Sequence, residues 1–266
     1  MPVRTTTLMK RKRDGEKIVA LTAYDYPMAS LLDASDVDVI LVGDSLGTAV
    51  AGLDDTIGVT MDQMVYHTRI VSRAVKRALL VADMPFLSYQ ISPERALENA
   101  GRLVAEGGAQ AVKLEGPADR FGAAVEAITR AGIPVMGHIG LTPQSVHQIG
   151  GYKVQGTDER ARERLVEEAL GLERAGCFAI VLELVEAGVA GEVSRKLSIP
   201  TIGIGSGAAC DGQILIMHDM LGFGPGYRFV KTYFDAKTAI AEAFAAYARE
   251  VRAGAFPGPE HERRCE

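Results

Sequence analysis

Four acidic residues each close a short apolar run: Asp44 after Leu41-Val-Gly, Asp83 after Val81-Ala, Glu115 after Lys113-Leu, and Glu183 after Val181-Leu. Carboxylates brought to one place repel one another, and a divalent cation relieves that repulsion. Mg2+ suits such a set because it takes one or two carboxylates, keeps several waters and leaves room for substrate oxygens. Asp44, Asp83 and Glu115 are therefore candidate metal carboxylates. Each taken singly is equally well explained as a helix N-cap or turn residue; three in equivalent positions favour a shared task. Glu183 follows the wholly apolar Ala179-Ile-Val-Leu, where desolvation would raise its pKa toward that of a general base, and a salt bridge to a lysine is the competing explanation. Lys113, two positions before Glu115, points to the same side of its strand. Its ammonium could hold a substrate carboxylate, pair with one of these acids, or form a Schiff base. His138, at the end of Val135-Met-Gly-His, is either an active-site imidazole or a satisfied core histidine. His67, His147, His218 and His261 show no metal spacing.

Positioning these groups requires that the apolar runs be strands. Ile18-Val-Ala-Leu-Thr-Ala, Val37-Asp-Val-Ile-Leu-Val, Ala78-Leu-Leu-Val-Ala, Ala111-Val-Lys-Leu, Ile133-Pro-Val-Met, Ala179-Ile-Val-Leu and Ile199-Pro-Thr-Ile-Gly-Ile have the length and content of buried strands. Arg228-Phe-Val-Lys-Thr-Tyr is the expected eighth, before a helical Ala236 to Arg252. Segments with helical spacing lie between, opened by Ser92-Pro-Glu and Thr157-Asp-Glu and closed by Glu106-Gly-Gly, Ala131-Gly and Ala175-Gly. Eight strand–helix units in 266 residues average about 33 residues each, which predicts one (β/α)8 barrel. An open doubly wound sheet would want a Gly-x-Gly-x-x-Gly turn after its first strand, and none is present. In a parallel barrel all four acids fall at the C-terminal ends of strands, the rim where this fold carries its chemistry. The run Gly203-Ile-Gly-Ser-Gly207 has the look of a phosphate cradle, but tight turns use the same glycines. Gly150 to Gly156 reads as a loop able to close over substrate, or as a plain connector.

A net charge of -5 and an isoelectric point near 5.6 exclude the clustered basic face of a nucleic-acid-binding domain. Cys177, Cys210 and Cys265 lie far apart without a CxxC pair, so neither a thiolate zinc site nor a disulfide framework is expected, and a reducing cytoplasm fits. The charged start of the chain has no apolar signal-peptide core. The longest stretch free of charged residues, Ala131 to Tyr152, carries Pro, Gln, His and several Gly, unlike a membrane span. One domain over 1–266 is expected, with a short N-terminal lead-in and, from about residue 253, a loose arm or oligomer contact.

Several strings together resemble the ketopantoate hydroxymethyltransferase family: Ala20-Leu-Thr-Ala-Tyr-Asp-Tyr, Val42-Gly-Asp-Ser-Leu-Gly, Ala82-Asp-Met-Pro-Phe, Val112-Lys-Leu-Glu-Gly, Met136-Gly-His-Ile-Gly-Leu-Thr-Pro-Gln, Gly150-Gly-Tyr-Lys-Val-Gln-Gly and Cys210-Asp-Gly-Gln. The resemblance implies a (β/α)8 TIM barrel of the phosphoenolpyruvate/pyruvate superfamily type. It further implies Mg2+ near Asp44, Asp83 and Glu115, Glu183 as proton acceptor, and Asp44, Ser45, Asp83, Lys113 and His138 in contact with substrate. The implied reaction moves a hydroxymethyl group from 5,10-methylenetetrahydrofolate to 3-methyl-2-oxobutanoate through a Mg-stabilised enolate, in pantothenate synthesis. The family's large homo-oligomers imply a decamer. Two departures from the pattern concern loops: Glu186 stands where a proline is expected, and Ala208-Ala209 replace a proline-containing turn. A Mg-dependent 2-oxo acid lyase or decarboxylase on the same barrel is the competing enzyme, and a non-catalytic metabolite-binding barrel the competing non-enzyme.

Overall fold

The computed structural model describes residues 1–151 and 153–263; Tyr152 of the Gly150–Gly156 loop and Cys265 lie outside them. Two compact units are present, Met1–Met217 and His218–Glu266. In the first, eight parallel strands close a barrel in sequence order: β1 Ile18–Thr22, β2 Val39–Val42, β3 Leu79–Asp83, β4 Ala111–Lys113, β5 Val135–Gly140, β6 Ala179–Glu183, β7 Thr201–Ile204 and β8 Gly212–Leu215. The helices, in chain order, are α1 Thr5–Asp14, α2 Tyr26–Ala34, α3 Leu46–Ala49, α4 Met61–Ala74, α5 Pro93–Ala105, α6 Ala118–Arg130, α7 Val146–Ile149, α8 Glu159–Ala175, α9 Ala187–Lys196, α10 Met217–Met220 and α11 Ala236–Arg252.

Strand alternation splits the barrel into two packed layers. Ile40, Val42, Leu80, Ala82, Val112, Leu114, Ile180 and Leu182 join Val71, Leu103, Ile128, Leu165, Leu172 and Val193 of the helices in one buried cluster. Their neighbours in sequence point the other way, into the barrel, so Leu79, Val81 and Asp83 share one side, as do Ala179, Val181 and Glu183. Helix starts follow the hydroxyl and carboxylate caps: Ser92 Oγ accepts from Arg95 N–H at 3.2 Å, and Glu186 accepts from Val189 N–H at 3.0 Å. The cap of α8 is Asp158 rather than Thr157, its carboxylate accepting from Ala161 N–H at 2.9 Å.

The eighth strand is not Arg228–Tyr233, which has no strand conformation, but Gly212–Leu215. Ile18 pairs with Gly212 and Leu21 with Leu215 on one side, and Ile202 pairs with Gly212 on the other. A Cβ at Gly212 would stand 2.5 Å from the Ile18 carbonyl oxygen, so this seam closes only on glycine. With just two apolar residues, the strand is dictated by its partners rather than by its own composition. The lead-in, too, is ordered. In α1, Leu8 is buried, Arg11 contacts Asp38 at 2.8 Å and Lys12 contacts Asp211 at 2.7 Å. Both acids directly precede strands, which places α1 at the barrel's N-terminal rim.

The second unit is built around α11. Ile240, Phe244, Tyr247 and Val251 form an exposed apolar stripe at helical spacing, and only Ala236 of this helix is buried. Beyond residue 253, Phe256 turns back so that its ring meets Tyr247 edge-on at 5.6 Å and His261 at 5.0 Å. Among the described residues, no helix is long and apolar enough to cross a membrane.

Candidate active site

The barrel delivers the predicted side chains to one rim. Asp83 and Glu183 are the last residues of β3 and β6, Lys113 is the last of β4, His138 lies in β5, and Asp44 and Glu115 follow β2 and β4 by two positions. Asp83 and Lys113 are register partners across β3 and β4. Asp44, Asp83, Lys113, Glu115 and His138 are each buried, whereas the Glu183 side chain is 16% exposed. Burying this many charges is tolerable only if they compensate one another.

Lys113 is the hub. Its Nζ lies 2.7 Å from Asp83 Oδ1, 3.5 Å from Glu115 Oε1 and 3.2 Å from His138 Nδ1. Burial alone would lower the Lys113 pKa, but the negative charges of Asp83, Glu115 and Asp44 outweigh it and hold the ammonium well above its ordinary value. Pairing with the barrel acids is thus what the structure adopts, and a Schiff base, which needs a neutral amine, is disfavoured. Burial likewise opposes ionisation of Glu115, yet Lys113 and His138 overcome it and draw that carboxyl down to about 2. His138 Nδ1 is 3.3 Å from Glu115 Oε1, and its Nε2 is 3.3 Å from Glu183 Oε2. Burial and Lys113 press the imidazole toward neutrality; Glu115 and Glu183 prevail and raise it to about 9. His138 thus lies between two carboxylates and beside the Lys113 ammonium.

Asp44 is the least compensated of the acids. Burial, then the charges of Asp83 and Glu115, push its pKa well above the carboxylate range, and burial raises Asp83 as well. The Asp44 backbone N–H donates to Asp83 Oδ2 at 3.1 Å, bringing the two acids to one spot. Among the described residues no three His, Cys, Asp or Glu side chains are arranged so that together they could hold a metal ion. The donor set nevertheless fits a hard dication. The pair Asp44 and Asp83 would supply the one or two carboxylates that Mg2+ takes. Ser45 sits at the start of α3, half-buried, its Oγ 2.8 Å from the Tyr24 hydroxyl.

Two residues of this rim carried no sequence assignment. Gln144, in a 3-10 turn over Pro143–Ser145, donates from Nε2 to Asp44 Oδ2 at 2.9 Å, and the Tyr89 hydroxyl donates to Gln144 Oε1 at 2.8 Å. Neither carries charge, so only Thr142-Pro-Gln, a turn-forming string just past a site strand, marked the region. Gly203 and Ile204 end β7, and Gly205 to Gly207 open the connection to β8, with Gly205 and Gly207 at positive φ. In the Gly150–Gly156 loop, Gln155 is fastened to the Glu183 turn: its N–H donates to the Leu184 carbonyl at 2.7 Å and its carbonyl accepts from Glu186 N–H at 2.9 Å. Among the described histidines without metal spacing, His67 Nδ1 meets the Tyr24 carbonyl at 2.7 Å and His147 lies 3.7 Å from Asp55.

Known proteins share both fold and sequence with this chain. Among solved structures, phosphonopyruvate hydrolase in complex with oxalate and Mg++ superposes with a TM-score of 0.64 at 14% identity, covering 97% of this chain and 93% of that one. A 2,3-dimethylmalate lyase, a member of the PEP mutase/isocitrate lyase superfamily, gives 0.63 at 17%, covering 99% and 92%. These likenesses concern the fold. In sequence, the 3-methyl-2-oxobutanoate hydroxymethyltransferase of Thermoanaerobacter sp. (strain X514) is 54% identical over 261 residues, 97% of this chain and 95% of its own. That of Geobacter sulfurreducens is 54% identical over 256 residues, 96% of each. Residues 2–259 match the family model for ketopantoate hydroxymethyltransferase, and on that match and those identities the chain belongs to the ketopantoate hydroxymethyltransferase family.

Proposed function

We propose that this chain transfers a hydroxymethyl group from 5,10-methylenetetrahydrofolate to 3-methyl-2-oxobutanoate, forming ketopantoate in pantothenate synthesis. The observation that carries the reading is the gathering of Asp44, Asp83, Glu115 and Glu183 at the C-terminal rim with one carboxylate, Glu183, set apart beside His138. Asp44 and Asp83 would hold Mg2+, with Glu115 beside them. When bound, the cation supplies electrostatic stabilisation of negative charge on the substrate's keto oxygen, an effect worth several kcal/mol.

Glu183 removes the C3 proton of the keto acid. It is the most exposed carboxylate of the group, and one of its oxygens lies 3.3 Å from His138 Nε2. The carbanionic C3 bonds to the donated methylene carbon, both bonds from that carbon to the two folate nitrogens break in turn, water provides the hydroxyl oxygen, and the proton taken by Glu183 and one from that water pass to the two nitrogens. Lys113 and Ser45 contact the keto acid, the ammonium offsetting its carboxylate charge.

The enzyme acts as a homo-oligomer, a decamer by family resemblance, and the exposed stripe of Ile240, Phe244, Tyr247 and Val251 supports association. Cytoplasmic residence accords with Cys177 and Cys210, buried and unbridged.

The test is exchange of the C3 proton in heavy water, followed by NMR with Mg2+ and 3-methyl-2-oxobutanoate. Exchange without folate, and ketopantoate only after methylenetetrahydrofolate is added, are the expected results. Turnover of a larger oxo acid without folate would instead identify a lyase, and a chain inert under all these conditions a binding protein.

A further inference from the structure

Gln144 makes five directed hydrogen bonds at the rim. Its Nε2 donates to Asp44 Oδ2 at 2.9 Å and to the Met84 carbonyl at 3.0 Å. Its Oε1 accepts from the Tyr89 hydroxyl at 2.8 Å and from Gln90 Nε2 at 3.0 Å. Its backbone N–H donates to Glu115 Oε2 at 3.2 Å. One uncharged residue thereby joins the segments that follow β2, β3, β4 and β5. The amide can sit only one way round, since nitrogen faces two acceptors and oxygen two donors, and a flipped amide would set like against like.

The carboxylates of the rim are held unequally. Glu115 is gripped by Lys113, His138 and the Gln144 N–H, and Asp83 by Lys113 and the Asp44 N–H. For the Asp44 carboxylate, the amide of Gln144 is the one directed side-chain bond among the described residues. A neutral donor has a particular merit there. It fixes the direction of the carboxylate without cancelling its charge, whereas a lysine or arginine would neutralise the group that a cation must find ionised.

We propose that Gln144 is a positioning residue that aims the Asp44 carboxylate at a divalent cation, and that Tyr89 locks Gln144 in that role; this rests on the metal reading given above. Partners that orient a metal-ligating side chain are typically worth 10–100-fold in metal affinity.

The experiment is calorimetric titration of the full chain with MgCl2, without keto acid or folate, alongside thermal melting. Gln144→Met keeps the volume and removes the side-chain amide, both its oxygen and its nitrogen; it is expected to bind Mg2+ 10–100-fold more weakly. Tyr89→Phe, which removes one hydroxyl, is expected to weaken Mg2+ binding less but in the same direction. The double variant is expected to bind no more weakly than Gln144→Met alone, because Tyr89 acts through Gln144. A folded Gln144→Met chain that binds Mg2+ within twofold of the wild type overturns the proposal. Should Gln144→Met fail to fold, wild-type affinity in Tyr89→Phe overturns it equally. A wild-type chain that binds no Mg2+ defeats the metal reading itself, an outcome distinct from unequal affinities among the variants.

Discussion

Replacing Glu183 with Gln tests the division of labour at the rim, because it keeps the shape of the side chain and removes its charge and basicity. Two consequences follow from where Glu183 lies. Loss of a general base commonly costs 10²–10⁴-fold, about 3–5 kcal/mol of transition-state stabilisation, so exchange of the substrate C3 proton in heavy water should slow by that factor. The second consequence is electrostatic. His138 stands at about 9 instead of 6.5 because Glu115 and Glu183 outweigh its burial and the Lys113 ammonium. Removing one of those two carboxylates should therefore lower the imidazole from about 9 toward its ordinary value. NMR titration of the His138 ring reads this shift directly. Asp44 and Asp83 are untouched, so Mg2+ affinity by calorimetry should stay within about threefold, well short of the tenfold that 1.4 kcal/mol represents. Wild-type exchange in Glu183→Gln, or loss of Mg2+ binding together with exchange, refutes the assignment of Glu183 as the base.

Lys113→Met removes the cation that compensates Asp83 and Glu115, and breaking a buried pair in this way typically costs about 3–5 kcal/mol; the melting temperature should fall and be partly restored by Mg2+, and an unchanged melt would contradict the hub role. The raised pKa of Asp44 means that a proton competes with the metal, so the rise in melting temperature produced by Mg2+ should grow with increasing pH; increments that do not change with pH would contradict it. Glu115 has the opposite sign: depressed to about 2, it contributes stability that is present above its ordinary value near 4.5 and is lost as pH falls toward 2, and that contribution should vanish from acid melts of Glu115→Gln. Gly212→Ala should destabilise the barrel strongly, since its Cβ meets the Ile18 carbonyl oxygen at 2.5 Å; a melting temperature equal to that of wild type would show the seam to be looser than described.

What was legible in the sequence was what depends on local order. Val39–Val42, Leu79–Asp83 and Ala179–Glu183 are apolar runs with an acid at their end or two positions beyond it, and parallel closure alone sends their C-terminal ends to one rim. Gly212–Leu215 was not legible, because its pairing comes from β1, nearly the whole barrel away in sequence. The charged run in α1 read as a lead-in for the same reason: Asp38 and Asp211, which meet its Arg11 and Lys12, are distant in the chain. At the rim, the charged residues were visible by type. Their partition was not, since the sharing of Lys113 between Asp83 and Glu115, which leaves Asp44 the least compensated acid, depends on distances between strands. Gln144 and Tyr89 escaped notice because an uncharged side chain acquires meaning only from its neighbours.

The pairing of Ile18 with Gly212 also bears on how the protein is made. A ribosome presents the first strand early and the last only after most of the polypeptide has emerged, so until then the nascent sheet has two open margins and its acidic rim is a splayed arc. Truncation before residue 212 would therefore leave every group proposed for chemistry in the product and still yield an assembly with unsatisfied edges, prone to sticking to its own kind.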